Sequence, residues 1–299
     1  MIITNKYNLP DVLVRALEKD YYSRNTKYSV TQILKSVQQV ILEKRYYSQI
    51  KQDITERLWS FLGSAIHDFL EKGENEHSLI EERLVYKDIL SGKFDYFDTI
   101  KKILYDYKIT SVWKIIYNND NFKDFRIQLS IYAYLLRKIG FEVNKIANVF
   151  ILRDWKESEY KQGRYEVDKS IICLEYDILK EIDGLSIEQF LDSKIEELEK
   201  NQDTLDKDLP ECSLEYRWAS EGVYKIYWNE SKAKSPISVK NFSENDKESA
   251  LKYLDWINQE NEGKKTYRLE FFKGNQFKRC EYCSVKDFCQ QYKKSFVNT

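Results

Sequence analysis

The 299 residues set 48 basic against 49 acidic side chains, and 42% hydrophobic content supplies core residues for one large or two modest domains. No apolar run nears the roughly 18 residues a membrane span needs, and Met1 to Val14 lacks the features of a secretory signal, so a cytoplasmic protein is expected. Nine scattered glycines cannot spell a dinucleotide or P-loop phosphate motif, and two histidines, His67 and His77, weigh against multi-histidine zinc hydrolases.

In chain order, residues 29–70 read as helical. Ser29 or Thr31 can cap the segment from Ile33 to Leu42, and Leu58, Leu62, Ile66 and Leu70 recur at every fourth position. Three short strands follow, at Arg83 to Asp88, Lys93 to Phe97 and Ile103 to Ile109, punctuated by Ser91-Gly92 and by Thr99 to Lys102. Ile127, Ile131, Leu135 and Ile139 mark a helix that Gly140 can close. Val149 to Leu152 and Ser170 to Leu174 predict further strands, and Leu185 to Leu205 a charged amphipathic helix. The order is that of an α/β domain with a mixed central sheet flanked by helices. A boundary is expected near the acidic turn Asp203 to Pro210, with domains at 1–205 and 206–299. Beyond it, Val223 to Trp228, Ile237 to Val239 and Tyr267 to Phe272 predict strands, and Glu244 to Ile257 a helix, in a small α+β subdomain.

Asp106-Tyr107-Lys108 is the triplet that points to chemistry. On a strand, alternate residues share a face, so an acid and an amine stand side by side while Tyr107 points away. Asp95, on the expected neighbouring strand, brings a second carboxylate. Paired carboxylates suit Mg2+ or Mn2+, hard ions that prefer oxygen. Such an ion lowers the pKa of bound water, and a lysine can orient or deprotonate that water. Alone, an Asp-x-Lys triplet in a chain so rich in both residues spells a surface ion pair; its company raises it. Gly63 and His67 lie four apart on one expected helix, where the glycine would allow close approach to the sheet and His67 could reach a metal. Gln128 and Tyr132 are likewise four apart on another.

In order and spacing, Gly63-x-x-x-His67, Glu82, Gly92-x-x-Asp95, Asp106-x-Lys108 and Gln128-x-x-x-Tyr132 resemble the PD-(D/E)XK nucleases of the RecB-like branch, which includes the AddB and CRISPR-adaptation exonucleases and many phage recombination nucleases. Leu152-Arg153-Asp154-Trp155, Leu209-Pro210-Glu211-Cys212 with Arg217-Trp218, and the Arg279 to Cys289 run look like the C-terminal half of phage-type members. The resemblance implies a restriction-endonuclease-like core in which His67, Asp95, Asp106 and the backbone carbonyl of Tyr107 hold the divalent ion. Lys108 would position the attacking water, Glu82 would be an auxiliary acid, and Gln128 and Tyr132 would touch the DNA. Phe94 stands where the name-giving proline would precede Asp95.

Five cysteines in a reducing compartment, three of them at Cys280, Cys283 and Cys289, favour a metal or cluster over disulfides. Closing a zinc or 4Fe-4S site takes a fourth ligand. Cys212, Cys173 or a non-cysteine group could supply it. The Pro-x-Cys likeness to phage-type members favours Cys212, and Cys173 reads as a buried strand thiol. Spacing leaves zinc and 4Fe-4S open; the resemblance favours 4Fe-4S. The neutral total hides segregation. Residues 154–215 carry 8 basic and 19 acidic groups and residues 264–294 carry 9 and 3, so a basic, aromatic face for DNA is compatible with it. Two functions follow: a metal-dependent DNA exonuclease of phage or mobile-element recombination, replication or repair, or a nuclease-fold DNA-binding subunit with dispensable cleavage. With no helicase motif of its own, the chain would work with a helicase, recombination or single-strand-binding partner.

Overall fold

In the computed structural model, which describes residues 1–18, 25–118, 120–230, 238–262 and 264–297, the expected helical stretch 29–70 is broken into parts. Ser29 caps Val30–Ile33 in a reciprocal pair with Gln32, and Val37–Arg45 forms a second helix. Lys51–Asp53 then pairs in parallel with Ile2–Thr4. Asp53 accepts hydrogen bonds from Thr4 Oγ1 at 2.9 Å and Lys6 N at 3.0 Å, interactions with residues 47–49 positions away that periodicity cannot reveal. Helix α1, Leu58–Leu70, follows.

No residue of α1 is buried, so its leucine and isoleucine repeat is not the core stripe the spacing suggested. Gly63 does not serve close approach either, because a Cβ built there meets nothing within 4 Å.

The chain next runs through β1 (Ser78–Ile80), β2 (Arg83–Tyr86), β3 (Leu90–Lys93), β4 (Tyr96–Asp98) and β5 (Ile103–Thr110). The reversal expected at Ser91-Gly92 sits instead at Lys87 and Asp88, both at positive φ, and Gly92 lies inside β3. The single strand expected from Lys93 to Phe97 is two, in different sheets. Strand β3 joins β2 and Tyr28–Ser29, whereas β4 joins β1 and β5. Helix α2 (Lys123–Lys138), β6 (Lys145–Leu152) and β7 (Ile171–Tyr176) complete a five-stranded mixed sheet in the order β7-β6-β5-β4-β1. Only β5 and β6 are parallel within it; the long connection through α2 allows that. Gly140, at φ +98°, follows the helix end as expected. Leu104, Phe97, Ile146 and Phe150 of the sheet, with Leu129 and Ile131 of α2, form the core. Helix α3 (Ile187–Lys200) is capped reciprocally by Ser186 and Gln189.

Gly92 has a packing reason. A Cβ there would stand 2.4 Å from Tyr132 Cε1 and 2.8 Å from Val30 Cγ2. Gly92→Ala is expected to cost about 2 kcal/mol, within the range for overpacking. Urea melts check this, and an unchanged midpoint would refute it.

The chain divides into two units, Met1–Thr204 and Leu205–Thr299. In the second, β8 (Val223–Trp228) pairs antiparallel with both β9 (Lys240–Ser243) and β10 (Tyr267–Phe272), alongside α4 (Lys247–Glu260). Of the strand expected at Ile237 to Val239, Ile237 lies outside the described residues, and β9 begins at Lys240. Among the described residues, no helix is long and apolar enough to cross a membrane.

Candidate active site

Strand β5 carries the Asp-x-Lys pair at the centre of the sheet. Lys108 Nζ donates to Asp106 Oδ1 at 2.7 Å, and Asn148 Nδ2, directly across on β6, donates to Asp106 Oδ2 at 2.8 Å. Both carboxylate oxygens are thus held and Asp106 is buried. Burial alone would lower the Lys108 pKa, but the charge and hydrogen bond of Asp106 outweigh it and the ammonium is stabilised. Asn148 Oδ1 is buried with no hydrogen-bond partner among the described residues, an arrangement tolerated where a side chain is held for a task. Sequence reasoning missed Asn148, because its role exists only through pairing with a strand 42 residues away.

The second half of the site forms where the hairpin passes between sheets. Glu81 and Asp95 face each other across this break: Glu81 N donates to Asp95 O at 3.0 Å, and Phe94 N to Glu82 O at 3.2 Å. Glu81 takes φ +55°, a left-handed conformation costly for a residue with a Cβ. Such a local break re-aims side chains. Here it turns Glu81 into the site and leaves Glu82, the acid expected there, exposed and outside the cluster.

His67, from α1, completes the group. Its Nδ1 donates to Glu81 Oε1 at 2.8 Å and lies 3.7 Å from Asp95 Oδ1. In a neutral ring, that bond leaves Nε2 with the lone pair a metal ligand needs. One donor atom each from His67, Glu81 and Asp95 lies within 4.8 Å of the others, an N,O,O set that suits Mg2+ or Mn2+. Asp106, expected as a ligand, stands outside this trio. Tyr107 enters through its amide, which donates to Asp95 Oδ2 at 2.7 Å.

Charge is concentrated here. Burial and the negative charge of Asp106 push the Asp95 carboxyl up to about 7, against the pull of His67 and Lys108. The hydrogen bond to Glu81 raises His67 despite burial. Burial would raise Glu81 too, but its bonds to His67 and Lys93 outweigh that and hold it below the ordinary range. A cavity of about 230 Å³, lined by His67, Glu81, Asp95, Tyr96 and Tyr107, opens over the trio.

Gln128 and Tyr132 come together on α2, and a hydrogen bond from Gln128 partly offsets the burial that raises the Tyr132 hydroxyl. Tyr132 is buried against Gly92, while Gln128 is half-buried.

In the second unit, burial pushes the Cys280 thiol up to about 11, and the nearby Cys212, Cys283 and Cys289 add to the shift. Four thiols in one unit are a donor set whose chemistry suits zinc or an iron–sulfur cluster. Gln291, which sequence reasoning missed, ties Cys212 in: its Oε1 accepts from Cys212 N at 2.9 Å and its Nε2 donates to Cys212 O at 3.1 Å. Cys173 is not a core thiol. It lies exposed on β7, the edge strand of the five-stranded sheet in the first unit among the described residues.

No curated protein sequence matches the chain. The solved structure of SSO0001 is similar at 20% identity and a TM-score of 0.40, over 66% of this chain and 89% of that one. A phage related exonuclease from Haemophilus somnus 129PT is similar at 11% identity and a TM-score of 0.31, over 67% and 85%. A model of the PD-(D/E)XK nuclease superfamily matches residues 11–290, nearly the whole sequence, and the chain belongs to that superfamily.

Proposed function

We propose that the chain is a divalent-metal-dependent deoxyribonuclease of the RecB-like branch, acting as an exonuclease in phage or mobile-element recombination, replication or repair. The observation that carries this reading is the meeting of His67, Glu81 and Asp95 beside the buried Asp106–Lys108 pair. His67, Glu81 and Asp95 would hold Mg2+ or Mn2+, with Asp106 and the Tyr107 carbonyl close by. When bound, the ion supplies a more acidic water and neutralises charge on a phosphoryl oxygen. Lys108, fixed by Asp106 as an ammonium, would orient the attacking water and offset negative charge that develops as it attacks. Asn148 keeps Asp106 in the rotamer that presents Lys108. Gln128 and Tyr132 line the cleft for the DNA strand, and Glu82, being exposed, would act only at its edge. A full set of hydrolytic groups favours catalysis over a purely DNA-binding subunit. End-labelled single- and double-stranded DNA incubated with Mn2+ tests the reading: metal-dependent shortening from an end is expected, and internal cuts alone would refute the exonuclease assignment.

Cys212, Cys280, Cys283 and Cys289 would hold a 4Fe-4S cluster, with Zn2+ as the alternative, closing the second unit. The basic, aromatic run from Lys264 to Tyr292 would meet the DNA backbone, with a helicase or a recombination or single-strand-binding protein as partner in the cytoplasm. Cys212→Ser is expected to lose the bound metal, read by iron and zinc analysis and by visible absorption of anaerobically purified protein. Cys173→Ser is expected to keep it; the reverse result would overturn the ligand set.

A further inference from the structure

The exposed apolar helix α1 has a use that the metal site does not explain. It carries His67 into the site, yet Trp59 on the same helix is 54% exposed. Arg153, from the Leu152-Arg153-Asp154-Trp155 motif just beyond β6, places its guanidinium carbon 4.0 Å from the centre of the Trp59 ring. An indole and a guanidinium in contact offer a flat surface and a fixed positive charge together.

The pair lies in register with the site on both elements. Trp59 and His67 are eight residues apart, so about 12 Å along the helix and about 80° around it. Arg153 lies three residues beyond Phe150, which pairs with Lys108, so about 10 Å along the strand direction. Gly63 stands midway between Trp59 and His67, and a Cβ there would meet nothing within 4 Å, which leaves an open track along the helix. At about 3.4 Å per stacked nucleotide, this span corresponds to about two to four nucleotides.

We infer that Trp59 and Arg153 form a stacking subsite for an unpaired base of a single DNA strand a few nucleotides from the phosphate at the metal site. Every base of an unpaired strand can present its face to an exposed indole, whereas along a duplex those faces are stacked on their neighbours except at the two ends. Arg153 answers the adjacent phosphate. The inference rests on the nuclease reading for the position of the scissile phosphate, but not for the binding itself.

The test is fluorescence anisotropy of the full chain with a labelled single-stranded oligonucleotide and with a blunt duplex, in chelator so that nothing is cut. Trp59→Ala is expected to weaken single-strand binding about tenfold, as loss of one base–aromatic stack does. Duplex binding should hold, Trp59→Phe should retain most of the single-strand affinity, and Arg153→Ala should weaken it. Phe69→Ala is the control, because Phe69 is 70% exposed on the same helix but projects about 160° away from His67. Wild-type single-strand affinity in Trp59→Ala, an equal loss on duplex, or an equal loss in Phe69→Ala would each overturn the subsite. If the predicted binding pattern appears but Mn2+ supports no cleavage, the nuclease reading fails and the subsite stands.

Discussion

Lys108→Ala is expected to lower metal-dependent DNA cleavage by about 10²- to 10³-fold, the range for loss of one preorganised donor at the reacting group. The amine is held 2.7 Å from Asp106 on a central strand and is desolvated, so bulk water offers no substitute in that position. Lys108→Arg should fail nearly as badly, since a planar guanidinium cannot reproduce a compact ammonium on the same carboxylate. Loss of fold must be separated from loss of chemistry. Removing Lys108 leaves Asp106 as a buried, unpaired acid, which costs about 3–5 kcal/mol if it stays charged. The double change Lys108→Met with Asp106→Asn removes both charges and is expected to recover most of that stability while remaining inactive. Urea melts beside single-turnover cleavage read the two effects apart. Cleavage by Lys108→Ala at the wild-type rate would end the proposed role.

Asp95→Asn should change the pH dependence of the metal-free protein. In the folded chain the Asp95 carboxyl is pushed up to about 7 from an ordinary 3.8. Between those values the folded state binds a proton that the unfolded chain has released, so stability is greatest at the acidic end and falls as pH rises. Over the whole window the loss is on the order of 4 kcal/mol. His67 acts in the same direction, since its raised pKa contributes stability below its ordinary value that is lost as pH rises through the folded one. Glu81, held low, has the opposite sign: its contribution is present above its ordinary pKa and disappears on acidification. Urea melts in chelator from pH 5 to 7.5 are therefore expected to show wild type losing stability and Asp95→Asn losing much less, so that the variant is the more stable protein at pH 7.5. Added Mn2+ should reverse the wild-type trend, because the ion competes with the proton for Asp95, and should leave the variant nearly unaffected. Wild-type stability that rises with pH in chelator would contradict the buried, charge-crowded environment of Asp95.

Much of the fold follows from local rules. Alternation along Ile103 to Ile109 places Asp106 and Lys108 on one face, and the parallel pairing of β5 with β6 keeps them there. Ser29 caps a helix through interactions within three residues, and Gly140 follows one as only a residue free of a Cβ does easily. These features are legible because backbone geometry repeats at short period, so side chains two to four positions apart have a determined relation.

Tertiary structure decided what depends on distant partners. Glu81 rather than Glu82 faces His67 because the chain breaks between two sheets there, and a period-two pattern cannot show a break. Asn148 meets Asp106 through the crossover that sets β6 beside β5, and Gln291 holds Cys212 across 79 residues of chain. The apolar repeat of α1 had the periodicity of a core helix, yet none of its residues is buried, since periodicity specifies a face and not what covers it. By itself the sequence determined the chemical groups, their order and the strand that presents the central pair. The folded chain chose which acid, which amide and which aromatic ring stand beside them, because those choices rest on pairing between segments that no local rule relates.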